Sequence, residues 1–128
     1  MTKQELITYC LTFPAVYKDN PFDGEKGHSD DGTWTMIRHR GNKKGFAHIY
    51  ERHERLRINL KYDPNEALFW RQIYEDVTPG WHMNKEHWNT VTLNGDVPEQ
   101  ELERMIEHSF DLTKPKTKKK ELSEPYRM

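Results

Sequence analysis

The chain has 128 residues, with 20 Lys and Arg against 21 Asp and Glu, a net charge of −1. That length is expected to form one domain, and near-neutrality argues against binding nucleic acid through bulk charge alone. Four Trp, six Tyr and five Phe argue against disorder despite a mean hydropathy of −1.09, because they supply apolar area for a core.

A capping box, Thr2-Lys-Gln-Glu5, predicts a first helix from about Lys3 to Leu11, ended by Pro14. Cys10 sits on it as a small buried apolar group. Being the one cysteine, it excludes a disulfide-stapled secreted domain. No signal-peptide core precedes it, and no apolar run approaches the roughly 20 residues of a membrane span, so a cytoplasmic protein without membrane association is expected. A short strand at Val16–Lys18 leads into a polar, acidic loop from Asp19 to Gly32. Thr33–Arg38 and Phe46–Tyr50 read as strands joined by the hairpin loop Gly41-Asn-Lys-Lys-Gly45.

Arg55–Tyr62 has the cleanest period of two. Leu56, Ile58, Leu60 and Tyr62 share one face, and Arg55, Arg57, Asn59 and Lys61 share the other, predicting a half-buried strand with a basic solvent face. Asp63-Pro-Asn-Glu66 and Asp96-Val-Pro-Glu99 repeat the capping pattern and predict helices over about Pro64–Glu75 and Pro98–Leu112. Between them, Trp88–Leu93 reads as a strand stopped at Asn94-Gly95. The order predicts an α+β domain over residues 1–113, with an antiparallel sheet and helices packed on one face. Residues 114–128, with five lysines in the first seven positions, read as a disordered tail.

Charge is unevenly distributed. Met36–Tyr62 carries eight basic residues against two acidic ones, a net of +6, and Lys114–Met128 nets +4, so the remainder nets −11. A basic sheet face and tail, backed by acidic helices, is the expectation. Arg38, Arg40, Lys43, Lys44, Arg55, Arg57 and Lys61 are the candidate phosphate contacts; a merely solvated sheet face is the alternative. His39, His48 and His53 interleave with them but follow no metal-ligand spacing, and no metal site is expected.

Thr78–Thr90 is the densest unusual stretch. His82, Asn84, Lys85, His87, Trp88 and Asn89 offer charge, donors and a stacking face for an anionic ligand. The structural alternative makes Trp81 and Trp88 core and lets His82 and Asn84 close a turn. This stretch, with Phe13-Pro-Ala-Val-Tyr17, Pro21-Phe22, Leu56–Lys61 and Gly95-Asp-Val-Pro98, resembles the MmcQ/YjbR family of bacterial proteins over about Leu6–Leu112. The resemblance implies a CyaY-like, frataxin-like fold and DNA binding through a double wing of β-hairpins. It implies no catalytic residues. The frataxin likeness raises iron binding, but the first helix carries only Glu5, and Asp19, Asp23, Glu25, Asp30 and Asp31 read as a solvated loop. No nucleophile motif or Gly-rich phosphate loop is present, so a non-catalytic, cofactor-free DNA-binding protein is expected, a monomer by preference. The alternative is a phosphate-, anion- or partner-binding protein acting through His82–Thr90.

Overall fold

The computed structural model describes residues 1–21 and 34–116. Most of the acidic loop, including Asp23, Glu25, Asp30 and Asp31, and the tail from residue 117 onward lie outside the described residues. The elements are α1 (Lys3–Cys10), β1 (Val16–Asp19), β2 (Thr35–His39), β3 (Gly45–Arg52), β4 (Arg55–Lys61), α2 (Pro64–Ile73), β5 (Val77–Pro79), β6 (Trp88–Thr92) and α3 (Glu99–Thr113). The strands form one sheet in the order β1-β2-β3-β4-β6-β5, each antiparallel to its neighbour. The α+β architecture is therefore as expected. β5 is an addition: three residues ending in Pro79 carry no readable period, and a proline is tolerated at such a sheet edge.

The register sorts the two sheet faces. Thr35, Ile49, Ile58, Val91 and Val77 form one cross-strand row beneath the helices. Leu56, Leu60 and Leu93 extend this core, which takes Leu6, Ile7 and Cys10 from α1 and Leu102, Met105 and Ile106 from α3. α3 lies over β3 and β4, while α2 lies over β5 and β6. Ser109 of α3 enters the sheet itself. Its hydroxyl accepts from the Lys61 amide at 2.9 Å and donates to the Phe46 carbonyl at 2.7 Å, satisfying both groups.

Of the three expected capping boxes only the first forms. Thr2 and Glu5 exchange bonds of 2.9 and 3.1 Å. The Asp63 side chain makes no cap bond. Asp96 instead accepts from the Glu75 and Asp76 amides at 2.8 and 3.1 Å, fastening the loop after α2, and α3 begins at Glu99 with Pro98 at its N-cap and no side-chain cap bond. α2 also departs from a buried helix. Ala67 is its one buried residue, and Leu68, Phe69 and Ile73 are 54, 50 and 51% exposed.

β3 and β4 are joined by two residues, His53 and Glu54, with φ of 53° and 62°. Two consecutive positive φ values are the signature of the type I′ hairpin turn, which favours Asn-Gly. A side chain in the left-handed region costs on the order of 1 kcal/mol. Glu54→Gly should therefore raise stability by about 0.5–1 kcal/mol, seen as a higher urea midpoint at unchanged m-value. An unchanged or lower midpoint would show the turn to be unstrained.

Candidate nucleic-acid interface

The loop between β2 and β3, residues 40–44, is braced from several sides. The His39 amide donates to the Lys44 carbonyl at 2.9 Å, and the Lys43 amide returns to the His39 carbonyl at 2.8 Å. Lys43 takes a φ of 64° to close it. The Arg40 amide reaches the Ala15 carbonyl at 2.8 Å, tying the loop to the segment before β1. Its side chains Arg40, Lys43 and Lys44 are exposed. Arg38 differs from its neighbours, since it pairs with Asp19 at 2.7 Å and donates to the Lys43 carbonyl at 2.9 Å. It holds the loop more than it displays charge.

The end of α3 meets the same loop. Asn42 Nδ2 donates to the Thr113 carbonyl at 2.9 Å, and Thr113 Oγ1 bonds His39 Nε2 at 2.8 Å. A Cβ on Gly41 would come within 2.7 Å of the Pro115 ring, so the chain leaving α3 lies directly on the hairpin loop. Exposed Lys114 and Lys116 thereby join Arg40, Lys43 and Lys44. Lys61, at the last position of β4, lies at this end of the sheet. Lys114 also sits 3.5 Å from Asp111, an exposed pair worth little in water.

The other basic residues gather at the opposite end of β4. Arg52 and Arg55 face each other across the His53-Glu54 turn. Arg57 donates to the Arg52 carbonyl at 3.2 Å and to Thr92 Oγ1 at 3.1 Å, and Arg55 donates to the Leu93 carbonyl at 3.0 Å. Arg52 lies over the Trp81 ring at 4.2 Å. Arg55 and Lys61 are six residues apart on one strand, about 20 Å at the usual rise per residue. The basic segment therefore divides into two groups instead of forming one continuous face. Arg52 was not singled out from sequence, because its place opposite Arg55 depends on a two-residue turn that His-Glu does not announce.

Between the groups the sheet face opposite the helices is covered. The row Met36, His48, Asn59, Thr90 and Thr78 crosses it, with His48, Asn59 and Thr90 buried. Asn59 was expected in solvent with Arg57 and Lys61. Instead its Oδ1 accepts from Tyr50 Oη at 2.9 Å and Thr90 Oγ1 at 2.6 Å, and its Nδ2 donates to the Trp81 carbonyl at 3.1 Å. The loop after β5 folds back over this row. Trp81 stacks at 5.7 Å on Trp34, which stacks at 4.2 Å on Tyr50. Burial, with the nearby Arg38 charge adding to it, pushes the His48 imidazole down to about 4.

The polar groups of His82–Thr90 are largely engaged in building that loop. Lys85 Nζ donates to the Gly80 carbonyl at 2.9 Å, and Asn84 Oδ1 accepts from the Glu86 and His87 amides at 2.8 and 3.3 Å. Asn89 is buried under α2, donating to the Ala67 carbonyl at 3.1 Å and accepting from Arg71 Nε at 2.6 Å. Arg71 continues to the Lys85 and Trp88 carbonyls. His82, at φ 62°, tilts against the Trp81 ring, and Trp88 stacks on His48. His82, Asn84 and Lys85 remain exposed, and His87 and Trp88 are half-buried.

Cys10 is fully buried, and burial pushes its thiol up to about 12, which makes it inert as a nucleophile. No helix among the described residues is long and apolar enough to cross a membrane.

Comparison with known proteins places these features in a wider group. The YjbR family model matches residues 11–112. YjbR of Escherichia coli (strain K12) is 31% identical over 110 residues, covering 86% of this chain and 85% of that protein. YyaQ of Bacillus subtilis (strain 168) is 36% identical over 104 residues, covering 69% of this chain and 87% of that protein. A crystal structure of a Pseudomonas syringae protein superposes with a TM-score of 0.74 at 30% identity, covering 88% of this chain and 99% of that one. A Deinococcus radiodurans structure of the DUF419 domain gives 0.71 at 30% identity, covering 87% and 77%.

Proposed function

The chain belongs to the YjbR family, and from that premise we propose that it is a non-catalytic protein that binds DNA through the basic hairpin end of its sheet. The observation that carries this reading is the convergence of Lys114 and Lys116 on the loop holding Arg40, Lys43 and Lys44. Residues close in space neutralise neighbouring phosphates, which succeed one another about every 3.4 Å of helix axis on each strand. Arg52, Arg55 and Arg57 form a second contact group about 20 Å away, a span of roughly six base-pair steps. The helices behind the sheet carry acids, Glu99, Glu101, Glu103 and Glu107 on α3 among them. That polarity orients the sheet end toward DNA and the helices away from it. Engagement of Lys85, Asn84 and Asn89 within the fold favours this reading over an anion site in His82–Thr90.

Fluorescence anisotropy of labelled duplex DNA across a salt series tests it. Five phosphate contacts at the hairpin end predict a slope of about −4.5 in log K against log salt, near −0.9 for each, and engagement of the second group takes it toward about −7. Lys43→Glu with Lys44→Glu should lower affinity at least tenfold and reduce that slope by about 2, while Lys85→Ala leaves both unchanged. Binding insensitive to salt, or lost in Lys85→Ala and retained in the hairpin variant, would overturn the reading.

A further inference from the structure

On the helical side of the sheet, α2 and α3 bring Asp63, Glu66 and His108 together. His108 Nε2 lies 3.3 Å from Glu66 Oε1 and 3.9 Å from Asp63 Oδ2. One ligand atom from each residue falls within 4.8 Å of the others. We propose that Asp63, Glu66 and His108 form a binding site for a divalent transition cation of the zinc type.

Three observations point to a ligand instead of a simple ion pair. On a side chain otherwise 36% exposed, His108 Nε2 is shielded from solvent and, though 3.3 Å from Glu66 Oε1, makes no well-directed hydrogen bond to it or to any other group. The Asp63 side chain, at the N-cap of α2, makes no cap bond. Asp and Glu at these positions would ordinarily serve the helix terminus. Here carboxylate oxygens of both lie beside the imidazole of another helix. Third, the spacing suits a shared cation. Bonds of about 2.0–2.1 Å in tetrahedral geometry set ligand atoms about 3.4 Å apart, close to the two separations measured.

The chemistry selects the class of ion. One imidazole nitrogen with two carboxylates is a borderline donor set, suited to Zn²⁺ or Co²⁺ more than to Ca²⁺, which takes six to eight oxygens. The two carboxylates neutralise the dication. Three protein ligands leave a coordination position for water or a small ligand. A cleft lined by Tyr62, Glu66, Trp70, Arg104, Met105 and His108 adjoins the ligand atoms and gives that position room. The site lies on the helical side, uses none of the basic hairpin side chains, and does not depend on the DNA reading.

Isothermal titration of the full chain with Zn²⁺ at neutral pH tests the proposal, with Co²⁺ visible absorption reporting an imidazole-bound ion. One equivalent should bind, and His108→Ala and Glu66→Gln should each weaken it at least tenfold with unchanged circular dichroism. His82→Ala, whose ring packs on Trp81 over the opposite face of the sheet, should bind as the parent does. If the parent binds no Zn²⁺, or if His108→Ala and Glu66→Gln both bind as tightly as the parent, the proposal is wrong. Should one variant fail to fold, the other decides by the same criterion.

Discussion

Asn59→Ala should lower the free energy of unfolding by about 3 kcal/mol, a large effect for one polar side chain. The amide is fully buried in the sheet and bonds three partners at once: Tyr50 Oη, Thr90 Oγ1 and the Trp81 carbonyl. Truncation takes the shared acceptor from two buried hydroxyls, which keep only each other at 3.3 Å, and the donor from a part-buried carbonyl, and each unmet group costs about 1–3 kcal/mol. Thr90 also accepts from the Trp81 amide at 2.9 Å, so Trp81 loses one of its two polar ties to the sheet and the other rests on a hydroxyl that has lost its Asn59 acceptor. Urea denaturation measures the loss, and tryptophan emission should shift to the red in the folded variant as Trp34 and Trp81 meet water. A loss below about 1 kcal/mol would mean that aromatic stacking holds the loop without the network.

Lowering the pH should remove about 3 kcal/mol of stability through His48 alone. Its folded pKa is about 4, through burial first and the Arg38 charge second, against about 6.5 in an unfolded chain. Between those values the unfolded state binds the extra proton. Stability is therefore complete above about pH 6.5 and declines as pH falls toward 4. His39, also pushed down chiefly by burial, adds a contribution of the same sign. The difference in unfolding free energy between parent and His48→Gln, followed from pH 7 to 4, isolates the effect. Carboxylates titrate alike in both proteins, so a constant difference would show that His48 stays accessible to protons.

The strand pattern was readable because Leu56, Ile58 and Leu60 alternate with polar residues, and burial of that face is a local property. The opposite face was misjudged because Asn59 looks like Arg57 and Lys61 to a pattern of two. Its burial comes from a loop more than twenty residues later, which hydrophobic periodicity does not report. The same limit explains the caps. Asp63-x-x-Glu66 has a helix-start spelling, yet its side chains answer to His108 on another helix. The charge partition was readable by counting. Its division into two groups was not, because that depends on where β3 turns into β4. The turn is made by His53 and Glu54, residues with no preference for it. Lys114 and Lys116 were read as the start of a free tail. Their place beside the hairpin rests on Asn42 and Gly41, which sequence marks only as turn formers.

Both proposed sites follow from how helices and sheet share charge. The sheet end gathers cations from the β2–β3 loop and the chain after α3. The helices supply the carboxylates and the histidine that would hold a dication. DNA binding and metal binding would thus use different side chains of one small domain, so that variants at one set should leave the other function in place.

The most direct measurement is amide chemical-shift mapping of the ¹⁵N-labelled chain titrated with a short DNA duplex. Shifts should concentrate on residues 40–44 and 114–116, with a second group at 52–57. Shifts confined to His82–Thr90 or to the exposed apolar face of α2, or no shifts at low salt, would contradict DNA binding at the basic hairpin end.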